Sequence, residues 1–341
     1  MVKRTVRAAG WFLALALSAA TVTVASNGPK KIIFDGDPGV DDTMAIFFAL
    51  RSPKIDVVGI TTVFGNVTTD QATTNALRLI EMAGVEIPVA HGADHPLVKE
   101  RRSPPTFVHG ADGLGEVDSP PPAGAPIEQS AARFIVEMAR RHPGEITLVP
   151  VGPLTNIALA LAIEPRLPEL VQEVILMGGA ARVAGNVTPV AEANIYGDPH
   201  AADIVFRAPW KVTMVGLDVT TEVRMTDDVL ERIAEANPHL GGFIYSITRF
   251  YKRFYESRGV TGGFYVHDPS AIAFVVDPSL FETAASRVRV AAEGLAAGQT
   301  IVTSDTPPDH FGPWHDAADA RVCIGVDAER LLELYEETLS R

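Results

Sequence analysis

The stretch Lys31-Ile32-Ile33-Phe34-Asp35-Gly36-Asp37-Pro38-Gly39-Val40-Asp41-Asp42 joins an apolar, strand-like run to a turn crowded with acids. Two glycines and a proline shape that turn, and four carboxylates fall between Asp35 and Asp42. Left unneutralised they would repel one another, and some would have to stay protonated. A bound divalent cation relieves the repulsion, and an all-oxygen donor set favours Ca²⁺ or Mg²⁺ over zinc. One of the acids can instead cap the helix that the apolar residues from Thr43 to Leu50 predict.

Working outward, the same theme recurs. Ile55–Thr62 is β-branched and strand-like, and Asp70–Met82 is amphipathic, with Ala72, Ala76, Leu79, Ile80 and Ala83 on one face. Ile146–Val151, Val174–Met177 and Val212–Val215 read as further strands, and a helix is expected through Ala158–Ile163. Strands that are apolar throughout and alternate with helices predict an α/β fold, with a mostly parallel, Rossmann-like central sheet flanked by helices. In such sheets ligands bind beyond the carboxyl ends of the strands, where Asp37 and its neighbours stand. The Pro- and Gly-rich segment Ser119–Pro126 reads as a surface loop. No linker divides the chain, so residues 27–341 form one expected domain.

The bulk numbers narrow the partners. With 341 residues, 47% of them hydrophobic, the chain can bury a large core. Its net charge of −13 argues against a nucleic-acid polymer, which needs a basic surface. The basic cluster Lys99-Glu100-Arg101-Arg102 reads as a solvated surface turn. The lone Cys323 lies in the apolar run Arg321–Val326 and reads as a buried strand residue.

Residues 1–26 have the three-part layout of a secretory signal. Lys3, Arg4 and Arg7 give a positive start, Ala8–Ala20 an apolar run, and Ser18-Ala19-Ala20 and Val24-Ala25-Ser26 cleavage contexts. The expectation is a secreted or periplasmic protein with no stable membrane insertion after cleavage. The alternative is a membrane anchor through an uncleaved segment, although the run is short of the ~20 residues a span requires.

Asp35-Gly36-Asp37-Pro38-Gly39-Val40-Asp41-Asp42 resembles the N-terminal signature of the nucleoside hydrolases. Gly65-Asn66-Val67-Thr68, His109–Gly115, Gly152-Pro153-Leu154-Thr155-Asn156, Leu176-Met177-Gly178-Gly179, Ala191-Glu192-Ala193-Asn194 and Val266-His267-Asp268-Pro269 resemble later motifs of that family in the same order. The resemblance runs from about Lys30 to the C-terminus.

It implies cleavage of the N-glycosidic bond of ribonucleosides by a Ca²⁺-bound water. Asp37, Asp42 and Asp268 are the implied carboxylate ligands, with the backbone carbonyl of Val151 as another. Calcium takes about six to eight oxygens, which leaves room for water and two ribose hydroxyls. Asp37 is the implied base and His267 the implied acid for the leaving base, with His109 as a second candidate. Asp41, Asn66, Glu192 and Asn194 are implied around the sugar, and Met177 is a further implied substrate-binding residue. Tyr251 and Tyr255 lie four apart on one helix and are implied beside the nucleobase, where a core role is the alternative. The family pattern also implies a homo-oligomer, a dimer or tetramer. This chain departs from it at Ala193, where relatives commonly carry a bulky aromatic, and that puts the preference at the ribose 5′ end in doubt. Two other readings stay open here. One is an inactive nucleoside- or ribose-binding protein on the same fold. The other is a Mg²⁺-dependent haloacid-dehalogenase-type phosphatase, which Phe34-Asp35-Gly36-Asp37 also resembles but Pro38-Gly39 does not continue.

Overall fold

The computed structural model describes residues 28–303, 312–314 and 317–341. The export segment read in residues 1–26 lies outside the described residues.

Eleven strands are described: β1 (Lys30–Gly36), β2 (Ile55–Thr62), β3 (Val89–Ala90), β4 (Ile146–Pro150), β5 (Glu173–Met177), β6 (Val212–Val215), β7 (Arg224–Met225), β8 (Phe264–Tyr265), β9 (Phe281–Val290), β10 (Thr300–Thr303) and β11 (Asp319–Val326). Nine of them form one sheet in the order β10-β9-β11-β6-β5-β4-β1-β2-β3, and β7 pairs with β8. From β11 through β3 every pairing is parallel, and only β9 and its neighbours run antiparallel. The sheet is therefore mostly parallel, as the strand–helix alternation predicts.

Both sheet faces are covered, which is why consecutive strand positions are apolar. Ile32 and Phe34 enter one core together with the helices Val40–Arg51, Leu240–Ser257, Asp268–Val276 and Ala328–Leu339. Ile33, between them, enters the opposite core with the helices Ala131–Arg141, Thr155–Ile163 and Pro199–Arg207. The same period of two divides Ile175 and Met177 from Val174 and Leu176. Cys323 is buried in β11, as its apolar surroundings predict.

Two helices begin earlier than their apolar residues indicate. The first starts at Val40, so Asp41 and Asp42 stand in its first turn, where negative charge suits the exposed N–H groups. The helix after β4 starts at Thr155 rather than Ala158. The order β3-β2-β1-β4-β5-β6 reverses direction between β1 and β4. That pair of adjacent strands, with connections leaving to opposite sides, opens a crevice at their carboxyl ends. Asp37 follows β1 and Val151 follows β4, so both stand at its floor.

Candidate active site

A cavity of about 450 Å³ opens at this crevice. Asp37, Asp41, Asn66, His109, Val151, Met177, Glu192, Asn194, Tyr251, Tyr255, His267 and Asp268 all line it. Of the site residues that the family resemblance implies, Asp42 alone stands behind the wall, fully buried.

The four clustered acids divide. Asp35 turns into the sheet, where its Oδ1 accepts from Thr61 Oγ1 at 2.5 Å and Asn156 Nδ2 at 2.7 Å. Burial pushes its carboxyl up to about 7 despite those donors. The other three face the crevice side. Asp42 Oδ1 accepts from the Asp37 backbone N–H at 3.1 Å, and its Oδ2 from Gly39 N at 3.0 Å and Asn66 Nδ2 at 3.0 Å. Asp37 Oδ2 accepts from Asn66 N at 2.5 Å. Gly65 permits that approach, because a Cβ there would stand 1.8 Å from Asp37 Oδ2.

Asp268 arrives from the other end of the chain, at the start of the helix Asp268–Val276. Ligand atoms of Asp41, Asp42 and Asp268 lie within 4.8 Å of one another, a group able to hold a metal ion. Asp41 thus joins this carboxylate group, and Asp37 stands near enough to feel the charges of Asp42 and Asp41. Burial raises the carboxyls of Asp37, Asp41, Asp42 and Asp268, and for all but Asp41 the neighbouring carboxylates raise them further. Asp37 Oδ1 and Asp41 Oδ1 are buried without a hydrogen-bond partner among the described residues. Acceptors left in this way carry a desolvation cost, which a cation would remove.

Around the acids, several polar groups are held by the backbone. Asn194 Nδ2 donates to the Val151 carbonyl at 2.8 Å and the Met177 carbonyl at 3.2 Å, leaving its Oδ1 to other partners. The Val151 oxygen keeps a second lone pair. Glu192 accepts from the N–H groups of Gly179, Asn194 and Ile195, so it anchors the turn as well as lining the cavity. His109 Nδ1 accepts from Val40 N at 3.2 Å, so its proton resides on Nε2, and burial pushes the ring down to about 3.

On the opposite side a chain of hydroxyls leads away from His267. Tyr251 donates to Asp41 Oδ2 at 3.1 Å. A phenol has one proton, so the 3.3 Å contact between the two tyrosines is made by Tyr255 donating to Tyr251. Tyr255 oxygen is then the acceptor at 2.8 Å from His267 Nε2, and the Thr220 hydroxyl donates to His267 Nδ1 at 2.8 Å. Burial pushes His267 down to about 4, and the Asp41 carboxylate opposes that shift. Tyr251 and Tyr255 are both core residues and cavity residues.

Residues 32–333 match the model of the inosine-uridine preferring nucleoside hydrolases. The chain belongs to that family. It is 43% identical over 313 residues to a probable uridine nucleosidase 2 of Arabidopsis thaliana, covering 91% of this chain and 97% of that one. It is also 43% identical to the inosine-uridine preferring nucleoside hydrolase of Leishmania major, over 92% of this chain and 98% of that one. The solved structure of a plant nucleoside hydrolase superposes with a TM-score of 0.88 at 42% identity, covering 92% and 99% of the two chains. This nucleoside hydrolase is therefore a ribonucleoside N-glycosyl hydrolase, and a phosphatase reading of Phe34–Asp37 falls away.

Two features of the nucleoside hydrolase site escaped the sequence. Thr220 carries no signal in an apolar helix turn, and only packing brings it to His267. Arg101 and Arg102 line the cavity wall, although their run reads as a solvated turn. Their placement comes from the loop's path over the helix Ala193–Gly197, which no local pattern encodes.

Proposed function

We propose that this nucleoside hydrolase cleaves uridine- and inosine-type ribonucleosides to ribose and free base with Ca²⁺ as cofactor. The observation that carries the reading is the grouping of Asp41, Asp42 and Asp268 at the wall of one cavity that Asp37, His267 and the two tyrosines also line. The donor set fits the ion, since it is all oxygen, buried and rich in unneutralised charge. Asp37, Asp42, Asp268 and the Val151 carbonyl would hold it, and Asp41 belongs to the same carboxylate group. When bound, Ca²⁺ supplies positive charge that orients an attacking water and the ribose diol.

Asp37 takes the proton of the attacking water, a role open to its unpartnered Oδ1. Asp41, Asn66, Glu192 and Asn194 bind the sugar hydroxyls. The same oxygens face the positive charge that builds on the sugar as the bond to the base breaks. Tyr251 and Tyr255 flank the base, with His109 at the edge of the Tyr251 ring, 5.2 Å between centroids. His267 protonates the departing base, which would otherwise leave as an anion. It must be charged to do so; burial works against that state, and the Asp41 carboxylate opposes the effect of burial.

The uridine- and inosine-acting relatives support the substrate class. We also propose export through residues 1–26 and assembly as a dimer or tetramer. The test is a panel of ribonucleosides assayed for free base in the presence of chelator and after calcium is restored. Release only with calcium supports the proposal, and undiminished release in chelator would end the metal assignment.

A further inference from the structure

We propose that Asn75 is a positioning residue of this site: its amide fastens the loop that carries His109 to the turn that carries Asp37 and Asp41. This rests on the nucleoside hydrolase reading and adds to it a residue that stands outside the cavity.

Asn75 lies in the helix Thr69–Met82, fully buried and away from the cavity lining. Its Nδ2 donates to the Pro38 carbonyl at 2.9 Å and to the Asp112 carbonyl at 2.8 Å. Both protons of the amide are thereby used, on two segments distant in sequence. Its Oδ1 accepts from Gln71 Nε2 at 2.9 Å and from Arg78 Nη1 at 3.3 Å. A guanidinium can only donate and a carbonyl can only accept, so the amide has one orientation. Arg78 is held in its turn, with Nε donating to the Pro120 carbonyl at 2.9 Å. A buried side chain with every donor and acceptor engaged acts as a rigid brace.

Both segments lead to the cavity. Pro38 sits between Asp37 and Gly39 in the acidic turn. Asp112 belongs to the loop that follows the helix Thr106–His109, and that loop is closed on itself. Gly115 N donates to the His109 carbonyl at 2.8 Å, and Leu114 N to Asp112 Oδ1 at 2.8 Å. A shift at Asp112 is therefore passed to His109. The His109 ring lines the cavity and accepts from Val40 N at 3.2 Å. Loop and turn thus meet on both sides of Gly39, through Pro38 and through Val40. The fit is close at each point. A Cβ on Gly39 would stand 2.7 Å from His109 Nδ1. One on Gly113, whose φ is 78°, would stand 3.0 Å from Asn75 Nδ2 and 3.1 Å from the Pro38 oxygen.

The turn has its own supports. Asp42 accepts from Asp37 N, Gly39 N and Asn66 Nδ2, and none of these bonds involves Asn75. What Asn75 adds is the place of the loop relative to the turn, and so the place of His109 beside Asp41 and the Tyr251 ring. Misplacing a substrate-facing group by about 1 Å can cost ~10²-fold in rate, even when the change is made far from the chemistry.

The experiment follows uridine and inosine cleavage, calcium binding by titration calorimetry and thermal melting in Asn75→Ala, His109→Ala and the double variant. Asn75→Ala should lower kcat/KM by about 10–100-fold while calcium affinity stays that of the parent. In the His109→Ala background the same substitution should have almost no further effect, because the side chain it misplaces is already gone. A brace that served folding alone would lower the melting temperature and act alike in both backgrounds. Gly113→Ala wedges the same joint apart from the loop side, leaves the helix Thr69–Met82 untouched and should reproduce the pattern. Equal losses with and without His109 would overturn the proposal. So would an Asn75→Ala enzyme as active as the parent, or a fall in calcium affinity that accounts for the loss. If neither Asn75→Ala nor Gly113→Ala folded, the joint would serve the fold and not the site, and the proposal would fall as well. A parent enzyme that cleaves neither uridine nor inosine would instead overturn the nucleoside reading.

Discussion

Tyr251 donates its only proton to Asp41 at 3.1 Å, so the aromatic wall of the cavity is tied directly to its acidic floor. Tyr255 and His267 follow in line, and Thr220 closes the far end. The helix that carries the tyrosines and the turn that carries Asp41 are thereby held at one spacing.

Tyr251→Phe removes that donor and leaves Asp41 Oδ2 and the Tyr255 hydroxyl short of a partner. Denaturant unfolding should show a loss of about 1–3 kcal/mol, the cost of an unsatisfied buried polar group. Nucleoside turnover should fall at the same time. A variant as stable and active as the parent would show that the bond is dispensable.

His267→Ala should lower nucleoside turnover by about 10²–10⁴-fold, the usual contribution of a general acid. At saturating calcium, p-nitrophenyl riboside, whose leaving group needs no proton, should be cleaved nearly as fast as by the parent enzyme. Equal losses on both substrates would remove His267 from the catalytic set and leave His109 in its place.

Asp42→Ala and Asp268→Ala each take a carboxylate from the converging group. Metal analysis of the purified variants should find the divalent ion gone and most activity with it. A variant that kept its full complement of metal would exclude that residue as a ligand.

Stability should respond to pH in a direction fixed by the buried acids. Without metal, Asp42 moves from 3.8 to about 7 on folding, first through burial and then through Asp41. A raised folded value means the folded state holds the proton more tightly. Its stabilising effect is complete below about pH 4 and is lost as pH rises through about 7. Calcium needs the ionised carboxylates, so it should raise Tm more at pH 8 than at pH 5. Thermal melts with calcium and with chelator at both values check this, and the reverse order would contradict it.

For the N-terminus, cleavage is expected between about residues 18 and 28. N-terminal sequencing of mature protein recovered outside the cytosol should begin there. Mature cytosolic protein that begins at Met1 would rule export out.

By itself the sequence determined the sheet and the place of the site. Ile32, Ile33 and Phe34 are apolar in succession because β1 is covered on both faces, and the acids after Phe34 mark a strand's carboxyl end. Those are local properties, written in the period of the backbone and the burial of each position. Only the tertiary structure decided which acids meet. Asp35 and Asp37 are two apart on an extended chain, yet one turns to Thr61 and Asn156 and the other to Asn66. Asp268 reaches Asp41 and Asp42 because its helix packs against the one they begin. The tie from Tyr251 to Asp41 spans 210 positions, and Arg101 and Arg102 join the cavity through the course of a loop. Side-chain direction beyond a turn, and the meeting of residues distant in sequence, follow from packing of whole elements, which no window of sequence contains.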